Sequence, residues 1–234
     1  MDRITRSKLK TDRFAVEVEH SVEYVSEHRK QVALYGAIGL GVALIIGGVA
    51  YYRERQHATR QEGLARAMDV VQAAVTPVAP PAGALYFPTE AAKAEAADKA
   101  FKSFYAKYSG SEEAVVAASY LGALASDKGN LADAEKYFRQ VADFGDYNYA
   151  SMGKLSLAQV YLSTGRNADA EKLLRSLYDK PSLFVSKEQA AIALARALAV
   201  TKPAEARKLL EPLRTGRPAI SQVAITLLSQ LPAQ

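Results

Sequence analysis

The chain has 234 residues, of which 24% are charged, with a formal net charge of +5 and no cysteine. That length leaves room for one modest globular domain beside any other segment, and charges of both signs interspersed along the chain describe a solvated mixed surface, which excludes a nucleic-acid-binding stripe. The missing cysteines exclude disulfides, thiolate catalysis and cysteine metal sites, and they fit an oxidising compartment.

Residues 1–31 form a charged segment in which Phe14, Val18, Val22 and Val25 recur at three- and four-residue spacing. This spacing predicts a short helix that lies on a bilayer or binds a partner. Residues 32–52 are an uninterrupted uncharged run, and a helix of that length spans roughly 30 Å of hydrocarbon. Arg29 and Lys30 flank it on one side, Arg53 and Arg55 on the other, with Tyr35, Tyr51 and Tyr52 at headgroup depth. A cleaved signal peptide has a hydrophobic core of only about 7–15 residues. A core helix in water would be weakened by Gly36, Gly39, Gly41, Gly47 and Gly48. The run is therefore read as a transmembrane helix in contact with a lipid bilayer. Gly39, Ala43 and Gly47 form a small-residue face suited to packing against another helix, although such residues are also common in membrane helices generally.

Orientation stays open on charge alone. The N-terminal segment carries seven Lys/Arg, but only Arg29 and Lys30 lie close to the run, whereas Arg53, Arg55, Arg60 and Arg66 follow it closely. Residues 53–75 continue with good helix formers and apolar positions at Leu64, Met68 and Val71, which predicts a helical stalk. Residues 76–88 contain Thr76-Pro77-Val78-Ala79-Pro80-Pro81-Ala82-Gly83, which cannot continue a helix and reads as a linker.

From residue 89 to 234 the pattern is helical and repeats. Ala132-Asp133-Ala134-Glu135-Lys136-Tyr137-Phe138 recurs thirty-six residues later as Ala168-Asp169-Ala170-Glu171-Lys172-Leu173-Leu174, and again as Ala204-Glu205-Ala206-Arg207-Lys208-Leu209-Leu210. In the same register stand Leu121, Leu157 and Ala193, then Gly122, Ala158 and Leu194, then Val141, Leu177 and Leu213. Ala134, Ala170 and Ala206 allow close helix approach, with Phe138, Leu174 and Leu210 filling the space one turn on. Gly129 and Gly165 supply the reversals, while the third copy has Thr201-Lys202-Pro203 there. This pattern resembles the tetratricopeptide repeat, without its opening tryptophan, and Ala100, Phe104 and Tyr108 look like the second helix of a further degenerate copy. The fold class is thus all-α: one transmembrane helix with a stalk, then an α-solenoid of helical hairpins.

In that resemblance the first helix of each hairpin lines the concave wall. The register places Ser119, Ala123 and Ser126 there in the first clear repeat, Leu155, Gln159 and Leu162 in the second, and Ala191, Ala195 and Leu198 in the third. Such a wall is small and apolar and suits extended or helical apolar segments of a protein partner, although several of these residues fit equally well as contacts between neighbouring helices. Phe144, Tyr147 and Tyr149 are a second aromatic candidate surface. No catalytic residues, metal ligands or cofactor site emerge, and neither a small-molecule substrate nor nucleic acid is implied. His20, His28 and His57 lie outside the repeats without ligand spacing. Asp133, Asp169 and Glu205 suit helix N-termini, and Lys136, Lys172 and Lys208 a solvated face.

The order of segments, with Glu27-His28-Arg29-Lys30, a glycine-rich run, Tyr51-Tyr52-Arg53, an alanine-rich stalk and a short helical array, resembles the bacterial ancillary subunit of the Sec translocon. That resemblance implies a single-pass inner-membrane protein with a cytoplasmic N-terminus and an extracytoplasmic repeat domain. It implies a non-enzymatic scaffold whose partners are the translocon, periplasmic chaperones or exported chains. A scaffold for envelope assembly or cell division, holding one fixed partner, is the alternative. A third reading makes the N-terminal segment the part that binds a cytoplasmic regulator.

Overall fold

The computed structural model describes residues 28–78, 80 and 83–232. The helix expected over Phe14–Val25 lies outside the described residues, as do His20 and Ala79, Pro81 and Ala82 of the proline-rich stretch. The chain divides into two compact units, one ending at Ala58 and the other beginning at Thr59.

In the first unit the element is helix α1, Arg29–Gln72, which contributes its residues up to 58. It is the one helix among the described residues long and apolar enough to cross a membrane, and none of its most apolar window is buried. Leu34, Ile38, Leu44 and Ile45 are all exposed, and a Cβ added at any of the five glycines of the run would meet nothing within 4 Å. The face of Gly39, Ala43 and Gly47 is likewise uncovered. At the polar end, Arg55 donates to the Tyr51 hydroxyl at 3.0 Å and Gln56 to the Tyr52 hydroxyl at 3.1 Å.

The second unit begins inside what reads in sequence as a stalk. Leu64, Met68 and Val71 of α1 fall one turn apart on a single face, and such a face must be buried. They pack on a cluster containing Ala67, Ala97, Phe101, Phe104 and Leu121, so residues 59–72 are a helix of the repeat array. Gly63 permits this approach, because a Cβ there would sit 3.1 Å from the Phe104 ring. The helix stops at Gln72, not at residue 75. The following segment is clasped at its base: β1 (Ala74–Val75) and β2 (Tyr86–Phe87) form a two-residue parallel ladder, Ala74 opposite Tyr86 and Val75 opposite Phe87. Lys93 fastens it by donating to the Ala73 carbonyl at 2.8 Å.

Helices then follow in sequence: α2 (Glu90–Tyr108), α3 (Glu112–Asp127), α4 (Leu131–Phe144), α5 (Tyr147–Ser163), α6 (Asn167–Asp179), α7 (Lys187–Leu198) and α8 (Pro203–Leu210). A 3₁₀ turn (Glu211–Thr215) leads to α9 (Pro218–Gln230). Their starts are chemically marked. Thr89, Ser111, Asn130 and Asp146 each accept a backbone N–H of the first turn, and Ser186 forms a reciprocal capping box with Gln189. Pro203 and Pro218 open α8 and α9, where a missing N–H costs nothing.

Hairpins α3–α4 and α5–α6 turn through Gly129 and Gly165, with φ of 72° and 75°. The next residue closes each turn, Asn130 N–H donating to the Ala125 carbonyl and Arg166 N–H to the Tyr161 carbonyl, both at 2.8 Å. Helix contacts are closer still at two other glycines. Within the α3–α4 hairpin a Cβ on Gly122 would meet the Phe138 ring at 2.6 Å, and between hairpins one on Gly153 would meet the backbone nitrogen of Ala142 at 2.6 Å. Ala134, Ala170 and Ala206 are fully buried, and Phe138, Leu174 and Leu210 are buried one turn on. A continuous core extends from Ala125 to Leu231.

Gly153→Ala is expected to destabilise the protein by about 1–3 kcal/mol, because the obstruction is backbone that cannot swing aside. Gly129→Ala is expected to cost about 1–2 kcal/mol through the left-handed turn alone. Denaturation midpoints followed by circular dichroism check both, and an unchanged midpoint for Gly153→Ala would refute the close approach of α4 and α5.

Candidate protein-binding groove

Helices α3 and α5 stand side by side as the first helices of successive hairpins, and their facing residues border a concavity of about 820 Å³. Helix α3 contributes Val116, Ser119, Tyr120 and Ala123, spaced so that they share one face. From α5 come Tyr149, Met152 and Ser156, with Gly153 between them. Met68 enters from α1, Leu183 and Phe184 from the loop before α7, and Phe138 and Val141 form the floor. The Ser119 hydroxyl donates to the Val115 carbonyl at 3.0 Å, so its hydrogen-bonding demand is met within its own helix.

Of the residues expected on the concave wall, Ser119 and Ala123 line this groove. Ser126 is half-buried farther along α3, and Gln159 is exposed on α5. Leu155 and Leu162 are half-buried and pack against the core, leaving Met152 and Ser156 to form the α5 wall. Ala191, Ala195 and Leu198 are buried and do not line this groove. Helix α7 packs against α5, α6, α8 and α9, and these three residues lie on its covered sides.

Loop 180–186 is the feature that sequence periodicity did not reveal. The α5 residues 147–149 correspond, thirty-six positions on, to 183–185, so the third first-helix ought to start near Leu183. Instead α7 starts at Lys187, capped by Ser186, and the loop stands where a helical turn would be. It is tied to α5 by several bonds. The Tyr147 hydroxyl donates to the carbonyls of Lys180 at 2.9 Å and Pro181 at 3.2 Å, and Asn148 accepts the Leu183 N–H at 3.2 Å. The Ser151 and Ser182 hydroxyls share a hydrogen bond, Ser182 also accepts the Val185 N–H, and Tyr149 meets Phe184 edge-on with centroids 5.2 Å apart. Of the aromatic surface expected at Phe144, Tyr147 and Tyr149, Phe144 and Tyr147 are exposed and Tyr149 reaches the groove.

The second helices of the hairpins carry a ladder of charge. Glu135 accepts from Arg139 one turn on and from Arg166, the residue preceding α6. Glu171 repeats the arrangement thirty-six residues later, accepting from Arg175 at 2.8 Å and from Lys202, which precedes α8, at 2.7 Å. Arg175 also reaches Glu205 at 2.7 Å. Neither Arg166 nor Lys202 supplies a side-chain cap to its own helix; each instead cross-links its helix to the preceding one. Lys202 and Arg175 hold the Glu171 carboxyl below its ordinary range, and Arg166, with Arg139, does the same for Glu135. At the array's start Arg60 donates to buried Glu113 at 2.9 Å. Burial raises the pKa of Glu113, but its own backbone N–H, Arg60 and Ser111 outweigh that and leave it lowered. Lys136, Lys172 and Lys208 are exposed, as their solvated pattern suggests.

Among the described residues no cluster of three or more histidines or carboxylates is arranged to hold a metal ion. The fold is that of a stacked α-hairpin array whose concave face offers an uncharged groove. The chain belongs to the tetratricopeptide repeat-like domain family, whose profile matches residues 26–189, well over half its length and inclusive of the apolar run. Comparison with curated proteins and with solved structures finds no match. Domains of this family serve generally as protein-interaction modules and not as catalysts.

Because the ladder glutamates have lowered pKa values in the folded chain, their contribution is fully present above the ordinary carboxylate value near ~4.3. It is lost as pH falls through the folded values. Stability is therefore expected to be level from neutrality to about pH 5 and to decline below about pH 4. Glu171→Gln, whose cationic partners are solvent-exposed, is expected to cost about 0.5–1 kcal/mol at pH 7. It should also flatten the acid limb of a stability profile measured by urea denaturation.

Proposed function

We propose that this protein is a single-pass membrane-anchored interaction scaffold that holds its repeat array beside the Sec translocon. There it contacts emerging exported chains or periplasmic chaperones. The observation that carries this reading is the double use of α1: none of its most apolar window is buried among the described residues, and its residues 59–72 are part of the repeat array's own core. An apolar window of that length left unburied in a helix has a natural solvent in hydrocarbon. An uncharged groove on the attached array is a surface for polypeptide, not for a charged metabolite.

The order of segments supports the export-linked version, and with it an inner-membrane location, a cytoplasmic N-terminus and an extracytoplasmic array. Neither catalytic chemistry nor a cofactor has a place in this reading. The test is protease accessibility with one tag after Gln234 and one before Asp2. Protease added to spheroplasts is expected to remove the C-terminal tag and spare the N-terminal one. A photocrosslinker at Ala123 is then expected to capture translocon subunits, chaperones or exported chains. A C-terminal tag accessible only from the cytoplasm would overturn the assignment.

A further inference from the structure

The groove between α3 and α5 has a composition unlike the rest of the surface. The chain contains three methionines, one of them Met1, and the other two, Met68 and Met152, both line this groove. Methionine is the apolar side chain that adapts its shape to different partners, through an unbranched, polarizable thioether. Among the described residues no Asp, Glu, Lys, Arg or His lines the cavity, although 24% of the chain is charged. At its edge loop 180–186 holds Leu183 with 89% of its surface exposed. A leucine placed in water by a loop tied down through Tyr147, Asn148 and Ser151 is a preorganised contact, because the ordering cost is met before any partner arrives.

We propose that this groove selects short uncharged segments of partner polypeptides that carry one or two large apolar side chains. Leu183 and Phe184 act as a fixed hook at one end, and Met68 and Met152 as adjustable walls. The inference rests on the scaffold reading and narrows it to a class of ligand. Complementarity dictates the choice: a charged side chain entering this groove would lose water and find no counter-charge, whereas an apolar one gains adaptable contact. Selection is thus by exclusion of charge more than by one matched sequence, which suits a scaffold that meets many chains.

The experiment uses the full chain in nanodiscs of phosphatidylethanolamine and phosphatidylglycerol, with empty nanodiscs subtracted. The probe is an end-blocked eight-residue peptide of Ser, Gly, Leu and Phe, compared with versions carrying one central Asp or one central Lys, by fluorescence polarisation. Either charge is expected to weaken binding about tenfold or more. Ala123→Arg and Leu183→Ser, both at exposed positions that spare the core, are expected to do the same to the uncharged peptide while leaving circular dichroism unchanged. Tyr147→Phe, which releases the hook, is expected to weaken binding by a smaller factor. Equal binding of charged and uncharged peptides, or wild-type binding by both Ala123→Arg and Leu183→Ser, overturns the proposal. If the Ala123 photocrosslinker still captures export components in that case, the ligand class is wrong and the scaffold stands; if it captures nothing, the scaffold reading fails as well.

Discussion

The array depends on how closely its helices can approach at Ala134, Ala170 and Ala206. Each is fully buried, and each is followed one turn later by a large buried side chain, Phe138, Leu174 or Leu210. A hairpin of two short helices cannot cover its own apolar face, so stability comes only from stacking. A methyl group at the contact allows the next hairpin to seat, and the large residue fills the volume so created. Gly122 and Gly153 extend the same constraint to places where even a methyl group is too large, because a ring in one case and backbone in the other occupies its position.

Stacking also explains the charges. In a free helix Glu135 and Glu171 would each make an ordinary pair one turn on. Once hairpins stack at a thirty-six-residue interval, the cation before the next second-helix arrives within reach of the same carboxylate. Arg166 and Lys202 occupy positions where a Ser, Thr, Asp or Asn would serve as a local cap. They give up that local role for a bond between repeats, so an electrostatic feature of the surface follows the geometry of the core.

The groove follows from where the stacking pattern is interrupted. Regular continuation would have carried the α3 and α5 wall onto α7. That helix starts late, at Lys187, a bonded loop takes the place of its first turn, and α9 packs on α7 and α8 beyond it. The walls of this groove are the facing sides of α3 and α5, with Met68 at one border and the Leu183–Phe184 corner at another.

The sequence by itself determined the all-helical repeat architecture, the helix long and apolar enough to cross a membrane, and the buried positions around the three alanines. These depend on local chemistry and periodicity: an uncharged run, a repeated small-then-large pattern, and glycines where φ must be positive. That Ser119 and Ala123 share one face of a helix was legible for the same reason, and both line the cavity between α3 and α5. Only the tertiary structure decided that residues 59–72 belong to the array, that Ala191, Ala195 and Leu198 are core, and that Met152, Leu183 and Phe184 border the groove. Periodicity tells which residues of a helix share a face, but not whether another helix will cover that face. That answer depends on neighbours distant in the chain: α2 and α3 for the end of α1, α9 for α7, and the α5 side chains that hold loop 180–186 in place.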